Sequence, residues 1–110
     1  MIQDTINKIK TGLSSHSELP PQKKAELLSM VDQLQAEINE LAKTDVEQAQ
    51  SIAGFSAVST HEATRHERDD QLLQHSLGGL SASVSGFEAS HPRLVNLVNS
   101  FCTSLSNLGI

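Results

Sequence analysis

The 110-residue chain has one cysteine, Cys102, three prolines and only three aromatic residues, all phenylalanine. A single cysteine excludes an intramolecular disulfide and any zinc site built on several thiolates, and it fits a reducing compartment. With so few aromatics the core has to be assembled from Leu, Ile, Val and Ala, which suits helices better than a sheet. Basic residues are scarce as well: eight Lys and Arg stand against thirteen Asp and Glu, for a formal net charge of -5. That balance offers no phosphate-tracking surface, so nucleic acid is not an expected partner. No stretch is apolar for long enough to span a bilayer, which makes a membrane role unexpected, and "MIQDTINKIK" lacks the basic-then-apolar order of a signal peptide. Gly-rich phosphate loops and paired metal motifs are missing too. The expectation is a cytoplasmic protein that is not an enzyme and carries no cofactor, built as a single domain over residues 1–110.

What the sequence does have is period. Apolar residues recur at spacings of four and three, the pattern that lines one helix face, in four runs. The first is Ile2, Ile6, Ile9, Leu13; the second is Leu27, Val31, Leu34, Ile38, Leu41, resuming in phase at Ile52 and Phe55. The third is Leu73, Leu77, Leu80, Val84, Phe87, and the fourth is Leu94, Val98, Phe101, Leu105, Leu108. Pro20-Pro21 and Pro92 are placed to open helices, since proline at the first helical position loses no bond that would have formed. Gly54 is placed to end the second helix, "STHE" at 59–62 has the spacing of a capping box that starts the third, and Gly109 stops the fourth. "SHP" at 90–92 reads as a helix corner that His91 closes by packing and hydrogen bonding.

These marks predict an all-α fold: an antiparallel up-down-up-down four-helix base whose central two helices extend as a projecting coiled-coil hairpin, an arm of about residues 42–72. In that register Leu41 faces Leu73, Leu27 faces Phe87, Asp45 faces Asp70 and Gln48 faces His66. The first helix folds on the base of the second, with Leu13 near Leu27, and the fourth on the base of the third, with Leu108 near Leu73. The glycines of "GGLSASVSG" in the third helix suggest either close backbone approach of another helix, from within the chain or from a second copy, or a locally weak or kinked helix.

The C-terminal segment "FEASHPRLVNLVNSFCTSLSNLGI" resembles a family of short bacterial helical proteins of unknown function that end in Phe-Glu-Ala-x-His-Pro-x-Leu, a helix and Leu-Gly-Ile. Phe87, Glu88, Ala89, His91, Pro92, Leu94, Leu108, Gly109 and Ile110 stand at matching positions. The likeness covers the last quarter well and leaves Asp45 to Arg68 outside it. It implies a helical domain and no catalytic residues.

Polar chemistry is densest in "HEATRHERDD" at 61–70. On one continuous helix Glu62, His66 and Asp70 stack at intervals of four, and with Asp45 across the seam they form the alternative of a divalent-metal-binding bundle. The plainer account of the same residues is a solvated face of ion pairs. Cys102 beside Phe101 reads as a small buried hydrophobe. The leading expectation is a non-enzymatic interaction module, a homo-oligomer or a partner of another helical protein; attachment to a membrane surface through the first helix is the weakest alternative.

Overall fold

The protein, described over residues 1–108 in a computed structural model, forms five helices: α1 Ile2–Ser15, α2 Pro21–Ala42, α3 Val46–Thr64, α4 Asp70–Ser83 and α5 Pro92–Ser106. Among the described residues there is no strand. The all-α class is therefore correct. The stop expected at Gly109 lies outside the described residues.

The expected second helix is two helices. After Leu41 the backbone closes on itself, with the amides of Thr44 and Asp45 donating to the Leu41 carbonyl. Asp45 then caps α3, its carboxylate accepting from the Gln48 amide at 3.1 Å. A short side-chain acceptor here satisfies one of the donors that a helix start leaves unpaired. The next break falls at Arg65, where Asp69 caps α4 by accepting from the amides of Gln71 and Leu72. Gly54 sits inside α3 and ends nothing, and "STHE" opens nothing, because Ser59 and Thr60 are buried within α3. The helix before the "SHP" corner ends at Ser83 and not at Phe87, and Gly86 turns the chain with a φ of 94°, a conformation that suits glycine.

There is no arm. The chain has a radius of gyration of 13.0 Å and extents of 38 × 24 × 22 Å, and about 13 Å is what a compact chain of this length should show. The helix assigned to the arm is the centre of the bundle: α3 packs against α1, α2, α4 and α5. It does so with small residues, Ala49, Ala53, Ser56, Ser59, Thr60 and Ala63 being buried along one side together with Ile52. Spacings of three and four keep these residues on one face, and their size lets neighbouring backbones come close. Two buried hydroxyls on α3 bond back along the helix, Ser56 to the Ile52 carbonyl at 2.8 Å and Thr60 to that of Ser56 at 2.9 Å, which removes most of the cost of burying them, whereas the buried Ser59 hydroxyl has no partner among the described residues.

The proposed seam between Leu27–Leu41 and Leu73–Phe87 does not exist, because α2 and α4 are not in contact among the described residues. Gln48 faces the end of α4, where its side-chain amide donates to the Ser83 carbonyl, and not His66. The partner of α4 is α3, antiparallel to it. α1 lies along α2, tied by Lys10 to Asp32 at 2.8 Å and to Gln35 at 3.1 Å, and α5 packs against both α2 and α4. Ile6, Ile9, Leu13, Leu27, Ile38, Leu41, Leu73, Leu80, Leu94, Phe101 and Leu105 fill a continuous core.

Candidate functional site

The residues of the metal alternative are not brought together. Glu62 lies near the end of α3, Asp70 opens α4, and His66 stands in the non-helical link between them. The stack at intervals of four is broken at Arg65, whose ψ of 153° is extended. Asp45 caps the opposite end of α3, 17 residues from Glu62 and thus about 25 Å along the axis. Glu62 accepts from Arg65 at 2.9 Å and Asp70 from Arg68 at 2.9 Å. The hydrogen bond to Glu62 raises the Arg65 pKa, against a smaller opposing effect of burial, so this arginine is held firmly protonated. Among the described residues no three His, Cys, Asp or Glu side chains gather at one point.

His91 stands at the N-cap of α5 with Pro92 as the first helical residue. Its ring meets Phe87 edge-on at 5.8 Å and its Nδ1 lies 3.0 Å from the Ser90 hydroxyl. The His-Pro step is thus engaged in a corner. Cys102 is half-buried on α5, and burial pushes its thiol pKa up, away from the thiolate that a nucleophile needs.

The surface feature that stands out is the outer face of the α3–α4 hairpin. No Asp, Glu, Lys or Arg occurs between Glu47 and Glu62, nor between Asp70 and Glu88. Phe55 is 41% exposed, Val58 49% and Leu72 46%. Phe55 and Val58 share a face of α3 at an interval of three, and Leu72 and Gly79 share a face of α4 two turns apart. The Phe55 ring joins the two faces by lying on Gly79, so closely that a Cβ built there would stand 2.4 Å from its Cε1. The close backbone approach offered as one explanation for the glycines is not the contact found: at Gly79 it is the Phe55 side chain that takes the space, and a Cβ at Gly78 or Gly86 would meet nothing within 4 Å. Gly78 and Ala82 leave the neighbouring surface of α4 low and open. The run of uncharged sequence is legible in the chain itself; reading only the large apolar residues passes over it.

The fold and this face define a compact all-α bundle of five helices with one uncharged, partly apolar side. The chain belongs to the family described as Domain of unknown function (DUF4404), which it matches over residues 2–110. Membership thus extends beyond the last quarter of the chain and takes in Asp45 to Arg68. No curated protein and no solved structure matches the chain. Among the described residues no helix is long and apolar enough to cross a membrane.

Proposed function

We propose that the protein is a non-enzymatic helical interaction module that self-associates through the outer face of α3 and α4. The observation that carries this reading is the uncharged face with Phe55, Val58 and Leu72 exposed on it. A second copy is the occupant that fits. Two chains of net charge -5 repel each other, and they do so least where neither presents a charge. A two-fold pairing places the same patch on both sides, so Phe55 and Val58 of each copy meet uncharged, small-residue surface on the other.

The size of the face sets the strength. Two helices about 20 Å wide together, over a shared length of roughly 25 Å, cover on the order of 500 Å² per copy, or about 1,000 Å² in all. That is the low end for specific association, so the dimer forms reversibly, at micromolar concentration or weaker. Sedimentation velocity across a concentration series tests it. The expected result is a monomer–dimer equilibrium that Phe55→Asp and Val58→Asp each shift to monomer. A chain that stays monomeric at high micromolar concentration rules the proposal out.

A further inference from the structure

A second feature lies at one end of the bundle, away from the Phe55–Gly79 contact. The loop after α1, the first turn of α2, the link from α3 to α4 and the end of α5 enclose an open cleft of about 510 Å³. His16, Lys23, Arg65, His66 and Arg68 line it. Three of the chain's eight Lys and Arg residues line this cleft beside Glu18, and since Arg65 is paired with Glu62 and Arg68 with Asp70, Lys23 is the lining cation without an acidic partner among the described residues.

Further observations give the cleft a polarity. α2, a helix of 22 residues, begins at Pro20 with no side-chain cap and no acidic residue in its first turn. Its first amides and its dipole therefore present positive character beside Lys23. Among the described residues Lys23 forms no ion pair. The Nδ1 of His16 is enclosed and lacks a hydrogen-bond partner among the described residues, whereas buried polar atoms are ordinarily paired. Arg65 and Arg68 are held in place, Arg65 by Glu62 and Arg68 by Asp70 and the carbonyls of Ser106 and Leu108. Leu19, Pro20, Ala63 and Leu108 supply an apolar wall.

We infer that this cleft binds a small organic anion, a phosphate or carboxylate group on an apolar body, with Lys23 as its principal charge contact. The volume falls within the range of about 300 to 1,000 Å³ common to small-molecule sites. Lys23 meets the anionic group, the open amides of Gln22 and Lys23 add donors, and the apolar body lies along Leu19, Ala63 and Leu108. Arg65 and Arg68, each offset by its carboxylate, shape the cleft from fixed positions, and the His16 ring lines it with them.

The test is a titration of isotope-labelled protein followed by amide NMR at low ionic strength. One arm uses inorganic phosphate and hexyl phosphate, the other acetate and hexanoate. The expected result is saturable shifts confined to the residues of the cleft, with the hexyl compound tighter than its parent in at least one arm; the arm that binds more tightly fixes the class. Lys23→Glu should weaken binding by about tenfold or more, the loss of one charge-assisted hydrogen bond. Lys23→Gln should weaken it less, and Lys43→Glu, the same charge change at the end of α2, should leave it within about twofold. Shifts that fail to saturate in both arms, or equal losses in Lys23→Glu and Lys43→Glu, would overturn the assignment. Self-association is read separately by sedimentation, so failure of one proposal leaves the other standing.

Discussion

Gly78 and Gly79 are neighbours in the middle of α4, and replacing each by alanine should give different results. Glycine inside a helix costs roughly 0.5 to 1 kcal/mol relative to alanine. A Cβ at Gly78 meets nothing within 4 Å, so Gly78→Ala should collect that gain in full. A Cβ at Gly79 would stand 2.4 and 2.6 Å from two ring atoms of Phe55, so the ring must move. It can, because Phe55 is 41% exposed. Roughly 120 Å² of a ~200 Å² side chain is then covered, and swinging the ring off Gly79 exposes on the order of 40 Å² of it, at a cost of about 1 kcal/mol at ~25 cal/mol per Å². Gain and loss cancel. Gly79→Ala should therefore leave stability near that of the parent while Gly78→Ala raises it, a difference of about 1 kcal/mol, or roughly 4 to 8 °C in melting temperature. Urea unfolding of dilute protein, with unchanged m-values, measures it. In a Phe55→Ala background the ring is gone, and Gly79→Ala should recover the full gain. If Gly79→Ala stabilises the parent as much as Gly78→Ala does, the ring does not rest on α4 and the description of this face is wrong.

Phe101→Ala should cost about 3 to 5 kcal/mol by urea unfolding, because Phe101 is wholly buried and leaves a cavity in a chain with a small margin of stability. Asp45→Ala should cost about 1 kcal/mol through loss of the α3 cap, and Asp69→Ala a similar amount at α4; no loss at either position would mean that the helix does not start there. Removing residues 42–48 together with 66–72, which would merely shorten a projecting arm, should here abolish cooperative unfolding, since it deletes both caps and the Leu72 side of α4. Cys102 should react with thiol reagents more slowly than an exposed thiol near neutral pH and at the ordinary rate in denaturant. Its raised folded-state pKa means that above the unfolded pKa the unfolded chain gives up the proton while the folded chain keeps it. Stability from this group is whole at neutral pH and falls as pH rises through that window, a dependence that Cys102→Ala should remove.

The sequence by itself determined the helical class, the starts at Pro21 and Pro92, the buried stripes of α1, α2 and α5, and the corner at His91. Each of these is set within a few residues: proline fixes its own φ, and a period near 3.6 places Leu94, Val98, Phe101 and Leu105 on one face whatever they later meet. The division of residues 27–55 was also local, written in Asp45 and Gln48 as a cap, but the apolar residues on both sides stay in helical phase and obscure it. Ser59 to Glu62 carries the same capping pattern and opens no helix. Only packing distinguishes the two, since Ser59 and Thr60 are enclosed by neighbouring helices while the turn before Asp45 is exposed. Tertiary structure alone decided which helix lies at the centre. A stripe of Ala, Ser and Thr has little hydrophobic area to advertise, yet small residues are what allow four other helices to pack along one side of α3, with Leu and Ile of their own filling the space between. The same folding decided function's two candidate surfaces, because Phe55 and Gly79, like Lys23 and Arg68, are far apart in sequence and acquire meaning only once α3 turns back against α4 and the ends of α1, α3 and α5 meet.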